Sequence, residues 1–247
     1  MNIVGRTDVG LKREKNEDAF YVSEGPVGMF DRLLVLADGM GGHEYGEIAS
    51  QTSVRRVVEY VRDAGVNMPL FVLEQAVYEA NLAVRKVRDE YRNSNMGTTL
   101  VIAGIVAGHV YVMNVGDSRL YLLNSYGESI RQITRDHSYV DEMVARGQMT
   151  RNSEVYKAYK NVITRAIGIY AEVSPDAFDF SIEEGDMLLL CSDGLSNMLK
   201  NNVIKNLALD RSFDLEKRVE TMIEEANRAG GRDNITVILT EGEANDD

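Results

Sequence analysis

Apolar residues recur along this chain in two rhythms, and the switches between them lay out its elements. The N-terminal part has the short apolar runs of strands: a weak one over 2–9, another over 19–23, and a buried one over 32–37 that carries the unbroken run Leu33 to Ala37. The period then changes. Ile48, Val54, Val57, Val58 and Val61 fall near helical spacing within 47–62. A linker with Gly65 and Pro69 follows, and then Leu73, Val77, Ala80, Val84, Val87 and Tyr91 step by four and three, the clearest amphipathic helix in the chain. Strand signals return over 98–106, 109–115 and 118–123, separated by glycine-bearing turns, a pattern that predicts a meander. Ser138 followed by Asp141 reads as a capping box opening a short helix. The segment 148–160 is polar and tyrosine-rich with no steady period, an irregular insert over one edge of the fold. Strands resume over 175–182 and 186–192. A helix over 214–229 places Leu215, Val219, Met222, Ile223 and Ala226 on one side, and a last strand covers 235–240.

Strands in runs with helices in separate pairs predict an α+β fold, with antiparallel sheets and helices packed outside, rather than a doubly wound parallel sheet. No internal repeat or linker divides the chain, so one domain over 1–241 with an acidic tail over 242–247 is expected. With 247 residues, 44% of them hydrophobic, a large core is available. The formal net charge of −12 argues against nucleic acid or an anionic membrane as partner. One cysteine and three histidines give neither a disulfide framework nor a structural zinc site of the usual kind. The start MNIVGRTDVG has no basic, apolar leader, and the apolar stretch 101–107 is too short to span a bilayer, so a cytoplasmic protein is expected.

The run Leu33 to Ala37 ends on Asp38, and three of the next four residues are glycine. Asp-Gly is a good turn pair. A carboxylate fixed at the mouth of a core, with bare backbone beside it, can also hold a cation. The pattern repeats at Asp117 after Gly116, at Asp193 before Gly194, at Asp233 after two glycines, and at Glu17 and Asp18 before the second strand. If these strand ends converge, like charges repel and call for a cation. Oxygen-only donors select Mg²⁺ or Mn²⁺. Two such ions sharing one carboxylate would activate water and clamp an in-line displacement, which suits phosphate esters. Arg13, a few residues before the acidic pair, is the candidate contact for the substrate phosphate. Other phosphate chemistries lack their residues. The P-loop spacing starting at Gly41 has Glu47 where lysine is needed, and the residue six after Cys191 is Asn197 rather than arginine.

Eight pieces, "TDVGLKREKNEDAF", "LADGMGGHEYGEIAS", "MGTTL", "VGDSRLY", "RDHSYV", "NVITRAIG", "LLCSDGL" and "GGRDNITVIL", occur in the order found in the metal-dependent serine/threonine protein phosphatases of type 2C. Over residues 5–240 the sequence resembles that family in its compact bacterial form. The resemblance implies a central β-sandwich of two antiparallel sheets flanked by helices on both faces. It implies a protein serine/threonine phosphatase in which a hydroxide bridging two Mn²⁺ or Mg²⁺ ions attacks phosphorus in line. Asp38 would bridge the ions and the Gly39 carbonyl would help hold the second. Asp193 and Asp233 would hold the first, and Asp117 with Asp193 a third, weaker one. Asp18 would belong to the acidic shell with Glu17 beside it, and Arg13 would clamp the phosphate. The insert over 145–162 corresponds to a substrate-shaping flap. Implied partners are phosphoprotein substrates, among them a serine/threonine kinase and its targets, and the protein is expected to be a monomer. The chain departs from the family in two places. Met40 stands where some members carry a histidine proposed as general acid, leaving His43 as the nearby histidine, read as a loop or supporting residue. Lys157 and Ala158 stand where many bacterial members carry His-Pro. A catalytically weak phosphoprotein-binding module is the other reading of the same fold.

Overall fold

A computed structural model describes the chain except residues 42–44, 93–94, 127, 151–152, 160–161 and 242–247 and the side chain of residue 157. His43 and the acidic tail therefore lie outside the described residues. In chain order the elements are β1 (Asn2–Asp8), β2 (Asp18–Val22), β3 (Arg32–Met40), α1 (Tyr45–Asp63), α2 (Pro69–Tyr91), β4 (Gly97–Thr98), β5 (Leu100–Val106), β6 (His109–Val115), β7 (Arg119–Asn124) and β8 (Ser129–Gln132). They continue with α3 (Tyr139–Ala145), α4 (Glu154–Tyr159), β9 (Asp176–Ser181), β10 (Asp186–Cys191), α5 (Asp193–Ser196), α6 (Asn201–Ala208), α7 (Leu215–Arg228) and β11 (Ile235–Glu241).

Two antiparallel sheets form, with strand orders β1-β11-β10-β7-β8 and β2-β3-β5-β6-β9. Three apolar clusters fill the spaces between four layers. Leu33, Val35 and Ala37 of β3 face α1 and α2, while Leu34 and Leu36 face the other sheet. Met187, Leu189 and Cys191 of β10 face α6 and α7, while Leu188 and Leu190 face inward. A strand buried on both faces has no polar side to alternate with, which is why the central strands read as unbroken apolar runs. The architecture is the expected α+β sandwich with helices on both outer faces.

Four expectations change. The meander breaks after β6: Gly116, at φ 104°, turns the chain, and β7 joins the other sheet beside β10 while β6 pairs with β9. Apolar periodicity cannot distinguish the two partners, since both bury both faces of a strand. Pro69 opens α2 instead of lying in a linker, because a missing N–H costs nothing in the first helical turn. The tyrosine-rich insert contains the short helix α4. The Asp-Gly of β3 is no turn: the strand runs on to Met40, and Gly39 and Met40 pair with Thr98 and Gly97 of β4. Ser138 caps the short helix as expected, with the Asp141 N–H donating to Ser138 Oγ at 3.2 Å, while the Asp141 carboxylate accepts from that hydroxyl at 2.8 Å.

Candidate active site

The row of side chains pointing between the sheets determines where the carboxylates meet. On β3 that row is Leu34, Leu36, then Asp38, and on β2 it is Val22, Phe20, then Asp18. In the antiparallel register Asp18 lies directly opposite Asp38. Like charges facing across a ladder destabilise a sheet unless something compensates them. On the other sheet the inward row of β10 continues from Leu188 and Leu190 to Ser192, and that of β11 runs from Ile238 to Thr236. Both hydroxyls donate to Asp18 Oδ2, Ser192 Oγ at 2.8 Å and Thr236 Oγ1 at 2.6 Å. The apolar interior of the sandwich thus ends on a polar layer at one rim.

Backbone contacts hold Asp38 from both sides. Its N–H donates to Thr99 Oγ1 at 2.9 Å, and its carbonyl accepts from the Thr99 N–H at 2.9 Å. Gly39 has its N–H on the Glu17 carbonyl at 3.1 Å. A Cβ there would lie 2.1 Å from the Gly46 carbonyl oxygen and 2.5 Å from that of Glu17, so glycine lets β3 approach the start of α1. Glu17 Oε1 accepts from the Gly46 N–H at 3.2 Å. The loop before β2 is pinned by Asn234. Its Nδ2 donates to the carbonyls of Val9 and Lys15, each at 2.9 Å, and its Oδ1 accepts from the Glu17 N–H at 2.8 Å.

Asp117 follows the Gly116 turn, Asp193 opens α5 and Asp233 precedes β11. Asn197 Nδ2 donates to Asp193 Oδ2 at 2.9 Å, and Arg13 Nη2 donates to Asp233 Oδ2 at 2.8 Å. Arg13 is half-exposed at the mouth. Burial, then the charges of Asp18, Asp193, Asp117 and Asp233, push the Asp38 carboxyl well above its usual range. Burial, opposed by the two hydroxyls and assisted by Asp193 and Asp233, raises Asp18 to about 7. Burial and the charges of Asp193 and Asp136 raise Asp117 to about 7. Burial raises Glu17 as well. Asp38, Asp117, Asp193 and Asp233 keep part of their surface open, while Asp18 is buried.

Asp18 Oδ1 is buried with no hydrogen-bond partner, an orphaned acceptor inside a group of mutually repelling carboxylates. An anion in that condition fits a hard cation, and the donors within reach are oxygens. Among the described residues, however, no three Asp, Glu, His or Cys side chains close on one point tightly enough to hold an ion as they stand. The carboxylates are neighbours electrostatically without forming a finished cage. Asp193, Asp233 and Oδ2 of Asp18 are engaged by protein donors instead.

His137, within "RDHSYV", has a role that its sequence context does not specify. It is buried. The Gly116 N–H donates to its Nδ1 at 3.2 Å, so Nδ1 carries no proton and Nε2 does. Nε2 lies 3.3 Å from Asp176 Oδ2, which accepts its hydrogen bond. The His137 N–H donates to the Gly116 carbonyl at 3.0 Å, and its carbonyl accepts from the Thr164 N–H at 2.7 Å. His137 therefore ties the turn before Asp117 to the exit of the 145–162 segment. Only its position beside an acidic residue in "RDHSYV" hinted at this. Cys191 is fully buried, and burial pushes its thiol up to about 12, so it is a core residue.

The sequence profile described as "Protein phosphatase 2C" matches residues 12–239. The protein phosphatase PhpP of Streptococcus pneumoniae is 38% identical over 97% of this chain and 96% of its own. The crystal structure of the serine/threonine phosphatase PstP/Ppp of Mycobacterium tuberculosis superposes with a TM-score of 0.88 at 33% identity, covering 98% of this chain and 99% of that one. The catalytic domain of the serine threonine protein phosphatase PstP, crystallised in complex with 2 manganese ions, gives 0.82 at 34% identity, with 96% of both chains covered. The chain belongs to the protein phosphatase 2C family.

Proposed function

We propose that the chain is a protein serine/threonine phosphatase that hydrolyses phosphoserine and phosphothreonine with Mn²⁺ or Mg²⁺. The observation that carries this reading is the facing pair Asp18 and Asp38, with Asp18 Oδ1 orphaned, amid the charges of Asp117, Asp193 and Asp233. Asp38, Asp193 and Asp233 would hold one ion and Asp38 with the Gly39 carbonyl a second. Asp117 with Asp193 would hold a third, weaker one. A relative crystallised with 2 manganese ions supports the first two sites. When bound, the ions acidify water to a nucleophile at neutral pH and neutralise the phosphoryl oxygens.

The protein's own groups do the rest. Ser192 and Thr236 fix Asp18 through Oδ2 and leave Oδ1 for a bound ion or its water shell. Glu17 steadies the start of α1 and adds negative charge beside Arg13. Arg13 exchanges Asp233 for the substrate phosphate, which a guanidinium can grip with two parallel hydrogen bonds. Met40 has no proton to give, so the leaving alkoxide takes its proton from water in the cleft. With Cys191 buried as a protonated thiol, displacement proceeds directly to water without a phosphocysteine.

The test is phosphate release from a phosphothreonine peptide by chelator-stripped protein titrated with Mn²⁺, beside Asp38→Ala. Metal-dependent release that vanishes in the variant supports the reading. No release by folded wild-type protein at any metal concentration would replace it with a phosphoprotein-binding module.

A further inference from the structure

A groove of about 370 Å³ runs between β2 and the outer face of α1. Ala19 and Tyr21 of β2 and Val54 and Val58 of α1 give it an apolar floor. Arg55 and Arg62 of α1 line it as well, and both are exposed. Positions 54, 55, 58 and 62 share one helix face by their spacing. The two guanidinium stems therefore start about 10 Å apart along the helix, two turns at 1.5 Å per residue. Neither arginine forms an ion pair among the described residues. The acid in the groove, Glu59, lies 3.7 Å from Arg56, which also binds Glu79 of α2 at 2.6 Å. The groove thus carries two exposed guanidinium groups against one carboxylate, a net positive charge in a chain of net charge −12.

Its position adds to this. Ala19 directly follows Asp18. At the other wall, Gln51 Nε2 donates to Glu47 Oε1 at 3.0 Å, one residue after Gly46, which bonds Glu17. The groove starts one residue along β2 from Asp18, on the α1 side of the sheet, and leads away along β2 over a length suited to a few extended residues.

We propose that this groove docks the part of a phosphoprotein substrate that flanks the phosphorylated residue, as an extended acidic segment. Its apolar side chains lie over Tyr21, Val54 and Val58, and its carboxylates meet Arg55 and Arg62. The proposal rests on the phosphatase reading above. Local positive charge offsets the repulsion that a strongly acidic protein exerts on an acidic substrate, and it acts where the substrate must be oriented.

The test compares phosphothreonine peptides flanked by glutamate, glutamine or lysine on wild-type protein and on Arg55→Glu/Arg62→Glu, with p-nitrophenyl phosphate as a substrate too small to reach the groove. Wild type should favour the glutamate peptide by about 10-fold in kcat/KM, as expected for two exposed ion pairs, less so in high salt. The double variant should lose that preference and keep its rate on p-nitrophenyl phosphate. Arg55→Gln/Arg62→Gln should lie between. Binding of a fluorescein-labelled, unphosphorylated glutamate peptide, followed by anisotropy, tests docking independently of catalysis and should weaken in the double variant. Equal rates on all three peptides with wild type, or a preference that survives charge reversal, overturns the proposal. So does a variant whose only change is the loss of a dimer in sedimentation, which would make the groove a contact between copies. Absence of hydrolysis with arginine-dependent peptide binding intact would overturn the phosphatase reading and leave the docking site standing.

Discussion

Gly39→Ala tests the claim that the cleft depends on β3 passing flush against the start of α1. The added Cβ would lie 2.1 Å from the Gly46 carbonyl oxygen and 2.5 Å from the Glu17 carbonyl oxygen. Both are main-chain atoms, so neither can rotate away. The Glu17 oxygen is also held in place, accepting from Gly39 N–H at 3.1 Å and Ser50 Oγ at 2.6 Å. Relief requires β3 and α1 to part by about 1 Å, which strips contacts from Ala37 and Ala49 in the cluster beneath. Overpacking of this kind costs about 1–3 kcal/mol, and two immovable neighbours put Gly39→Ala at the upper end. At about 2–4 °C per kcal/mol for a chain this long, the melting temperature should fall by about 6–12 °C. Gly65→Ala is the control, since a Cβ there meets nothing within 4 Å. Calorimetry in chelator, so that lost metal binding does not contribute, measures both. If Gly39→Ala melts with Gly65→Ala, close packing of strand on helix is not what positions Asp38, and the reasoning fails.

Asp193→Ala should abolish phosphate release while circular dichroism and melting stay at or above wild type, because it removes one of the charges that disfavour the Asp38 and Asp18 carboxylates. Wild-type turnover would remove Asp193 from the metal set. Metal-free protein should lose stability as pH rises from 6.5 to 8. The folded state holds protons on Asp18 and Asp117, at about 7, that the unfolded chain has already released from groups near 3.8, so stability is present at low pH and lost through about 7. His137, lowered by burial and by Arg165 against the pull of Asp176, gives the opposite slope, but only below its unfolded value of 6.5. Urea titrations at the two pH values check this, and greater stability at pH 8 without metal would refute it. Nitrogen-15 NMR should find the His137 ring neutral with its proton on Nε2 at pH 7, and a proton on Nδ1 would break the link to Gly116.

Much of the fold was legible because burial is written into side-chain type. Unbroken apolar runs marked strands covered on both faces, four-and-three spacing marked α2 and α7, and Ser138 with Asp141 marked a helix start. Elements whose existence depends on neighbours were not legible. β8 is a four-residue edge strand with no buried position, and α5 and α6 are short helices stabilised by packing, α5 on β10 and β11 and α6 on α7 and β8. Where β7 would pair was equally hidden.

The sequence by itself determined the chemical inventory: acidic residues beside glycines at the ends of buried strands, with Arg13 shortly before one of them and no cysteine-and-arginine phosphate motif. Those facts follow from residue type and order, which no folding event alters. Tertiary structure alone decided which carboxylates meet. The facing of Asp18 and Asp38 is a matter of register, the clamp of Ser192 and Thr236 on Asp18 needs the second sheet, and Arg13 reaches Asp233 across 220 residues of chain. The positive groove exists only because α1 packs along β2. Proximity between distant residues is created by packing, so it has no signature in local sequence.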